Sequence, residues 1–380
     1  MLLKAIYGLK QGSRQWYLKL SEVMQDMGFK KVRSEPCVYV FLRGDDRVIV
    51  PSYVDDLHIA SKSKESIQHV KDELGKRFKL RDLGPSKWFL GIHITRDRSK
   101  HTLSLSQRQY CLDMLAEFDM PECKPVSTPM VPGKRLSKEM CPQTAEDKEY
   151  MKDKPYMRAV GKLLWLALAT RPDLAYTVSQ LARFNSCPGP QHWTAVKRAF
   201  RYIAGTLDYK LTYGPSPHPT HFLTYSDADY AGCPDTAKST SGYVLLMGGA
   251  AVSWSSKLQT RVARSSTESE YVAGESASRE MAFFHHILTD MGYQVPQPRP
   301  LAMDNESAIA AARNPEHQGR MKHIDPIYHG FRESVQLQEV SPYYVPTQAM
   351  AADILTKPLD RQKVVDGVKM LGLEDGKMMR

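Results

Sequence analysis

Apolar residues recur at helical spacing over residues 12–28, where Trp16, Leu20, Val23 and Met27 fall on one face and Gly28 offers a stop. Two apolar runs follow, 38–42 and 48–60, and both predict strands. Between them Arg43-Gly44-Asp45-Asp46-Arg47 is polar throughout, which suits an exposed turn. Residues 63–78 predict an amphipathic helix, with Ser63 as N-cap and Ile67, Val70, Leu74 and Phe78 on one face. Residues 87–107 read as a hairpin with a charged loop at 96–101. Periodicity is lost at 121–143, where five prolines predict a loop. Helices are expected at 156–172 and 189–207. Residues 214–221, with three prolines in eight, form the expected domain boundary. Beyond it the pattern predicts strands at 222–232 and 241–257, a helix over 267–291 and a strand at 299–305. A helix, further helix around 323–336, a strand at 340–347 and a closing helix complete an α/β domain.

A chain of 380 residues has room for two or three domains. Its longest apolar run, residues 163–169, is far short of a membrane span, and the N-terminus lacks the pattern of a secretory signal. No membrane role is expected. The six cysteines lie far apart with no C-x-x-C pair, which argues against structural zinc and for a reducing, intracellular compartment. Charge is uneven. Residues 1–214 carry 36 Lys+Arg against 23 Asp+Glu, a net +13, while residues 215–380 carry 16 against 19, a net −3. A basic N-terminal region suits a polyanion such as nucleic acid, because cationic side chains displace condensed counterions. An unspecialised basic surface fits the charge alone as well.

Candidate chemistry enters with the acids. In residues 48–61, VIVPSYVDDLHIAS, Asp55 and Asp56 sit side by side between apolar runs. Adjacent aspartates at a hairpin tip are ordinary turn chemistry. They also suit a divalent-cation site, since like charges held together on a rigid hairpin repel unless a cation joins them. The C-terminal region spreads four more acids over four elements: Asp227 in a strand beside Asp229, Glu270 in the long helix beside Glu268, Asp304 ending a strand, and Asp353 opening the last helix. Singly, each reads as a cap or a surface charge. Asp304 carries more weight, because ligands of α/β sheets gather at strand ends. Together, four acids meeting at a sheet edge would suit two magnesium ions, which need oxygen ligands.

Twelve segments then carry a likeness: AIYGLKQGSRQWYLKL, YVDD, FLGIHITRD, CKPVSTPM, LATRPDLAY, HWTAVKRAFRYIAGTLDY, SDADYAG, KSTSGYVLLMGGAAVSWSSK, SSTESEYVA, MDNESAIAAARNP, KHID and ADILTKPL. In this order, over nearly the whole chain, the sequence resembles copia-type retrotransposon Pol polyproteins. The resemblance implies a multidomain α/β and α+β architecture. Residues 1–105 would be a partial reverse transcriptase palm, a β-hairpin with helices, including a primer-grip hairpin. Residues 106–213 would be a helical thumb/connection, and 222–373 a ribonuclease H-like α/β domain.

The resemblance also implies roles. Tyr53-Val54-Asp55-Asp56 matches the polymerase YxDD hairpin, whose aspartates help hold magnesium. Lys10 and Gln11 match a segment near template and nucleotide, and Trp88 and Gly91 lie in the segment matching the hairpin that grips the primer end. Asp227, Glu270, Asp304 and Asp353 match the four ribonuclease H metal ligands. Glu270 is preferred to Glu268 because Glu-Tyr-Val-Ala fits the family pattern, and residues two apart on a helix face different ways. His323 would lie near that site. The implied cofactor is magnesium, two ions at the nuclease site, with manganese as a substitute. Implied partners are RNA–DNA hybrid, RNA template and DNA primer, and other Pol- or Gag-derived proteins of the same element. The implied location is the cytoplasmic virus-like particle and the nucleus. Such polymerases draw a third aspartate and the fingers from residues preceding the first segment. The expectation is therefore a truncated RNA-directed DNA polymerase, inactive alone, joined to an intact nuclease. The alternative is a non-catalytic relic or a co-opted nucleic-acid-binding fragment. Pro326, which would kink a helix beside His323, leaves it open.

Overall fold

The computed structural model describes residue 6 and residues 8–215, 222–314 and 330–376. Two compact units divide the chain: Met1–Ser86 with Ala282–Val295, and Lys87–Met281 with Pro296–Arg380.

In the first unit, α1 (Gly12–Asp26) is followed by β1 (Lys30–Lys31), β2 (Val38–Arg43), β3 (Asp46–Tyr53), β4 (Asp56–Leu57), β5 (Ala60–Ser61) and α2 (Lys64–Gly75). The sheet runs β1-β2-β3-β4, and β5 also pairs with β3. Its core takes Leu20, Val23 and Met24 from α1, Tyr39, Val48 and Val50 from the sheet, and Val70 and Leu74 from α2. These are the faces that the apolar spacing marks. The hairpin expected over 48–60, with Asp55 and Asp56 at its tip, forms from the eight-residue β3 and the short β4, and β5 follows. Val54 takes a left-handed conformation (φ +55°), which turns the chain back on itself after β3. Ser63 caps α2 as expected, its hydroxyl accepting from the Ser66 amide at 3.0 Å. Residues 282–295 join this unit through Asp290, which accepts from the Arg33 amide at 2.8 Å, and through Gly292, whose carbonyl takes an Arg47 guanidinium N–H at 2.8 Å.

The second unit holds β6 (Trp88–Phe89), β7 (Ile92–Asp97), β8 (Thr102–Ser106), α3 (Arg108–Glu117), α4 (Ala145–Lys152), α5 (Tyr156–Ala169), α6 (Ala175–Ala182), α7 (Pro190–Gly205) and β9 (Tyr209–Tyr213). There follow β10 (Leu223–Asp229), β11 (Thr240–Met247), β12 (Ala250–Leu258), α8 (Ser266–Asp290), β13 (Arg299–Met303), α9 (Glu306–Arg313), α10 (Gly330–Gln336), β14 (Val340–Tyr344), α11 (Arg361–Met370) and β15 (Leu373–Asp375). The last turns of α8 belong to the first unit.

The main sheet has the order β12-β11-β10-β13-β14. The β10, β11 and β12 strands are antiparallel, and β10-β13-β14 are parallel, with helices in the connections. It is a mixed five-stranded α/β sheet. A second sheet, β15-β9-β8-β7-β6, draws its strands from both ends of the unit. One apolar cluster runs from Cys111 through the helices to Leu373. The residues assigned to a thumb/connection and to the nuclease domain therefore share a core. The hairpin at 88–106 falls in the same unit, because β8 pairs with β9 and β9 with β15. The observed division thus differs from the partition 1–105, 106–213 and 222–373. Within the expected boundary at 214–221, residues 216–221 lie outside the described residues.

Arg171 in the LATRPDL segment is buried among these helices. Its guanidinium donates to both Asp173 carboxylate oxygens (3.0 and 2.7 Å) and to the Thr206 carbonyl (3.1 Å). Such a fork satisfies a charge that water cannot reach. Among the described residues no helix is long and apolar enough to cross a membrane.

Candidate metal centre

The centre is built around Asp227, 1% exposed, in the central strand β10. Across the ladder stands Gly242 of β11. A Cβ there would come within 2.7 Å of Thr356 Cγ2 and 2.9 Å of Leu355 Cβ. Lacking one, Gly242 lets residues 352–356 lie directly on β11. That approach lets the Thr356 hydroxyl donate to Asp227 Oδ2 and brings Lys357 Nζ within 3.6 Å of the same oxygen.

Glu270 lies one turn into α8. Its Oε1 accepts from the Ala228 amide at 3.2 Å, whereas its buried Oε2 has no hydrogen-bond partner among the described residues. Asp304 directly follows β13, half-buried, and accepts from the Thr347 hydroxyl at 2.9 Å. Asp227, Glu270 and Asp304 each bring an oxygen within 4.8 Å of the others, and among the described residues they are the one such group of three or more. Asp353 stands beside them without joining that group. It is paired through Oδ1 with Lys357 Nζ at 2.9 Å. Asp353 opens a single 3-10 turn, Asp353–Leu355, rather than the closing helix. Pro358 intervenes, and α11 begins separately behind an Asp360 cap.

Burial and mutual repulsion define the electrostatics. Desolvation pushes the Asp227 carboxyl up to about 7, against the pull of Lys357. Glu270 is raised by burial and then by Asp227 and Asp304. Asp353 is raised by burial, with Lys357 opposing. Asp227 and Glu270, which both resist ionisation and face each other, gain most from a cation between them, since it reverses the cost of holding them charged. The donors are all hard oxygens, and Glu270 Oε2 is a buried acceptor with no donor among the described residues. These residues fit magnesium.

Glu268 serves the helix start: its amide donates to Ser265 Oγ at 3.1 Å and its carboxylate accepts from the Arg264 amide at 2.8 Å. Asp229 is tied to Arg135 at 3.0 Å. Asp55 and Asp56 are exposed at the β3–β4 turn, and the Trp16 indole donates to the Val54 carbonyl beneath them. They belong to no group of three metal-ligating residues among those described. Tyr53, paired with Asp56, is exposed, as are Lys10 and Gln11 before α1. In the other unit Trp88 packs on His93, ring centroids 4.5 Å apart, and Gly91 (φ +76°) makes the β6–β7 turn. His323 and Pro326 lie outside the described residues. The sequence reading missed Thr356, Lys357, Gly242 and Arg135. The i,i+4 spacing of Asp353 and Lys357 was the one readable signal among them.

Residues 1–132 match the family described as reverse transcriptase (RNA-dependent DNA polymerase). The chain is 41% identical over 364 residues to the retrovirus-related Pol polyprotein from transposon TNT 1-94 of Nicotiana tabacum, covering 95% of this chain and 27% of that protein. It is 33% identical over 282 residues to a transposon Ty5-1 protein of Saccharomyces cerevisiae, covering 74% of this chain and 89% of that one. A crystal structure of RNase H1 from Halobacterium salinarum NRC-1 aligns with 38% of this chain and 98% of its own, at 18% identity and a TM-score of 0.25. The chain belongs to the copia-type retrotransposon Pol polyproteins. It spans about a quarter of the length of the first polyprotein relatives.

Proposed function

We propose that this chain is a magnesium-dependent ribonuclease that cuts the RNA strand of RNA–DNA hybrids through Asp227, Glu270, Asp304 and Asp353. The convergence of the first three within 4.8 Å, from a strand, a helix and a strand end, is the observation that supports it. Asp227, Glu270 and Asp304 would hold one ion, and Asp227 with Asp353 a second; manganese shares the preference for oxygen ligands. When bound, magnesium supplies Lewis-acid charge at the scissile phosphate and lowers the pKa of the attacking water.

The chain's own side chains fix the geometry beforehand. Thr356 holds Asp227 and Thr347 holds Asp304, so neither carboxylate has to reorient when substrate arrives. The net +13 of residues 1–214 would attract the phosphate backbone without regard to sequence. Lys10, Gln11, Tyr53, Trp88 and Gly91 are proposed contacts to template, nucleotide and primer. The working context is the retroelement's own replication, with its other Pol and Gag products. The test is a labelled RNA strand offered as hybrid, single strand or RNA duplex, with magnesium, manganese or chelator. The reading expects cleavage of the hybrid alone, and only with metal. Cutting in chelator, or equal cutting of all three, would overturn it.

A further inference from the structure

The carboxylates of the centre are not equivalent. On one side Asp227, Glu270 and Asp304 face one another; among the described residues the buried Glu270 Oε2 has no hydrogen-bond partner, and neither has Asp353 Oδ1, but only the latter has a cation beside it. On the other side Asp227 and Asp353, 1% and 6% exposed, already share a cation. Lys357 Nζ lies 2.9 Å from Asp353 Oδ1 and 3.6 Å from Asp227 Oδ2. Lys357 is held there by its own turn: its amide donates to the Asp353 carbonyl at 3.3 Å, and the preceding Thr356 hydroxyl reaches both that carbonyl and Asp227. Two buried carboxylates without a counter-charge are costly, and a tethered ammonium relieves that cost. A divalent ion seeking the same two oxygens must first evict it.

We propose that Lys357 is the resident cation of the Asp227–Asp353 side, so that the centre takes its divalent ions with unequal affinity. One ion enters the Asp227–Glu270–Asp304 cradle directly; the other binds only by displacing the Lys357 ammonium. The inference rests on the metal-centre reading above. It goes further in making the second ion's occupancy a competition decided by this chain. Lys357 lines an open cleft of about 390 Å³ with Arg135, Asp229, Asp360 and Lys363, so the displaced side chain has somewhere to swing.

Calorimetric titration of the whole chain with Mn²⁺ and Mg²⁺, without nucleic acid, tests it. Wild type should show one tight and one weak site. Lys357→Met keeps the apolar stem and removes the charge, and should tighten the weak site about tenfold while moving the tight one much less. Lys357→Arg should keep the weak site weak. A weak site unchanged or weakened in Lys357→Met would overturn the proposal. Asp304→Asn should abolish the tight site, and if it does not, the metal-centre reading itself fails, whatever Lys357 does. A second measurement needs no variant. Amine-reactive labelling of Lys357 in wild type, read by mass spectrometry, should rise severalfold over the metal range that fills the weak site. Labelling that stays flat, or that tracks only the tight site, would count against displacement.

Discussion

Gly242 faces Asp227 directly across the β10–β11 ladder, and its missing side chain is the space into which Leu355 and Thr356 pack. The candidate centre thus depends on a residue that contributes no ligand. Gly242→Ala should force the 352–356 segment off the strand and cost about 1–3 kcal/mol, the usual price of overpacking a core. Metal affinity should fall with it, because Thr356 and Asp353 move away from Asp227. Urea unfolding and metal titration of the same variant check both. An unchanged metal affinity would show that the segment's seat on β11 does not set the site.

Arg171 is the strongest candidate for a purely structural ion pair. Arg171→Met leaves Asp173 buried without its counter-charge and should destabilise the second unit by roughly 3–5 kcal/mol. Arg171→Lys should recover only part of that, since an ammonium cannot fork onto both carboxylate oxygens and the Thr206 carbonyl. Denaturant midpoints of the three proteins give the comparison. Equal midpoints would reject the role.

Glu275, on α8 and nearly buried, is pushed by desolvation up to about 7 from 4.5, against the pull of Arg279. The folded protein keeps this proton until about pH 7, whereas the unfolded chain releases it near 4.5. Stability from this group is therefore full at low pH and falls as pH rises between those values. Glu275→Gln should gain on the order of 2 kcal/mol at pH 8 and nothing at pH 4. Thermal unfolding across that range is the check, and a variant that loses stability at pH 8 would contradict the shift.

Asp55 and Asp56 stand exposed on their hairpin and belong to no group of three metal-ligating residues among those described. We propose that this exposed pair does not hold catalytic metal by itself, so that the chain leaves a primer annealed to an RNA template unextended. A gel-resolved extension assay with all four nucleotides would show it, and measurable added bases would refute it.

Much of this was readable in the sequence because it was locally encoded. Asp227, Glu270 and Asp304 each sit against a strong periodic signal: a strand, a long helix, and an apolar strand end. Trp16, Leu20, Val70 and Leu74 announced their faces by spacing alone. The rest is tertiary. Thr356 finds Asp227 at a separation of 129 residues, and Arg135 reaches Asp229 across 94 from a proline-rich loop without period. Two- to six-residue strands from residues 88–106, 209–213 and 373–375 make one sheet that no single window could suggest. ADILTK has helical composition, yet Asp353 opens only a 3-10 turn. Pro358, five residues on, is what stops it.

We propose the Asp227–Glu270–Asp304 cluster as the working centre of a hybrid-specific nuclease. The most direct measurement is single-turnover cleavage of an RNA–DNA hybrid by Asp304→Asn beside wild type in magnesium, with hybrid binding followed by anisotropy. The expected cleavage rate is lower by about a thousandfold or more, since a metal ligand is lost, with binding nearly unchanged because no side-chain contact to phosphate is removed. Cleavage at the wild-type rate in Asp304→Asn would contradict it.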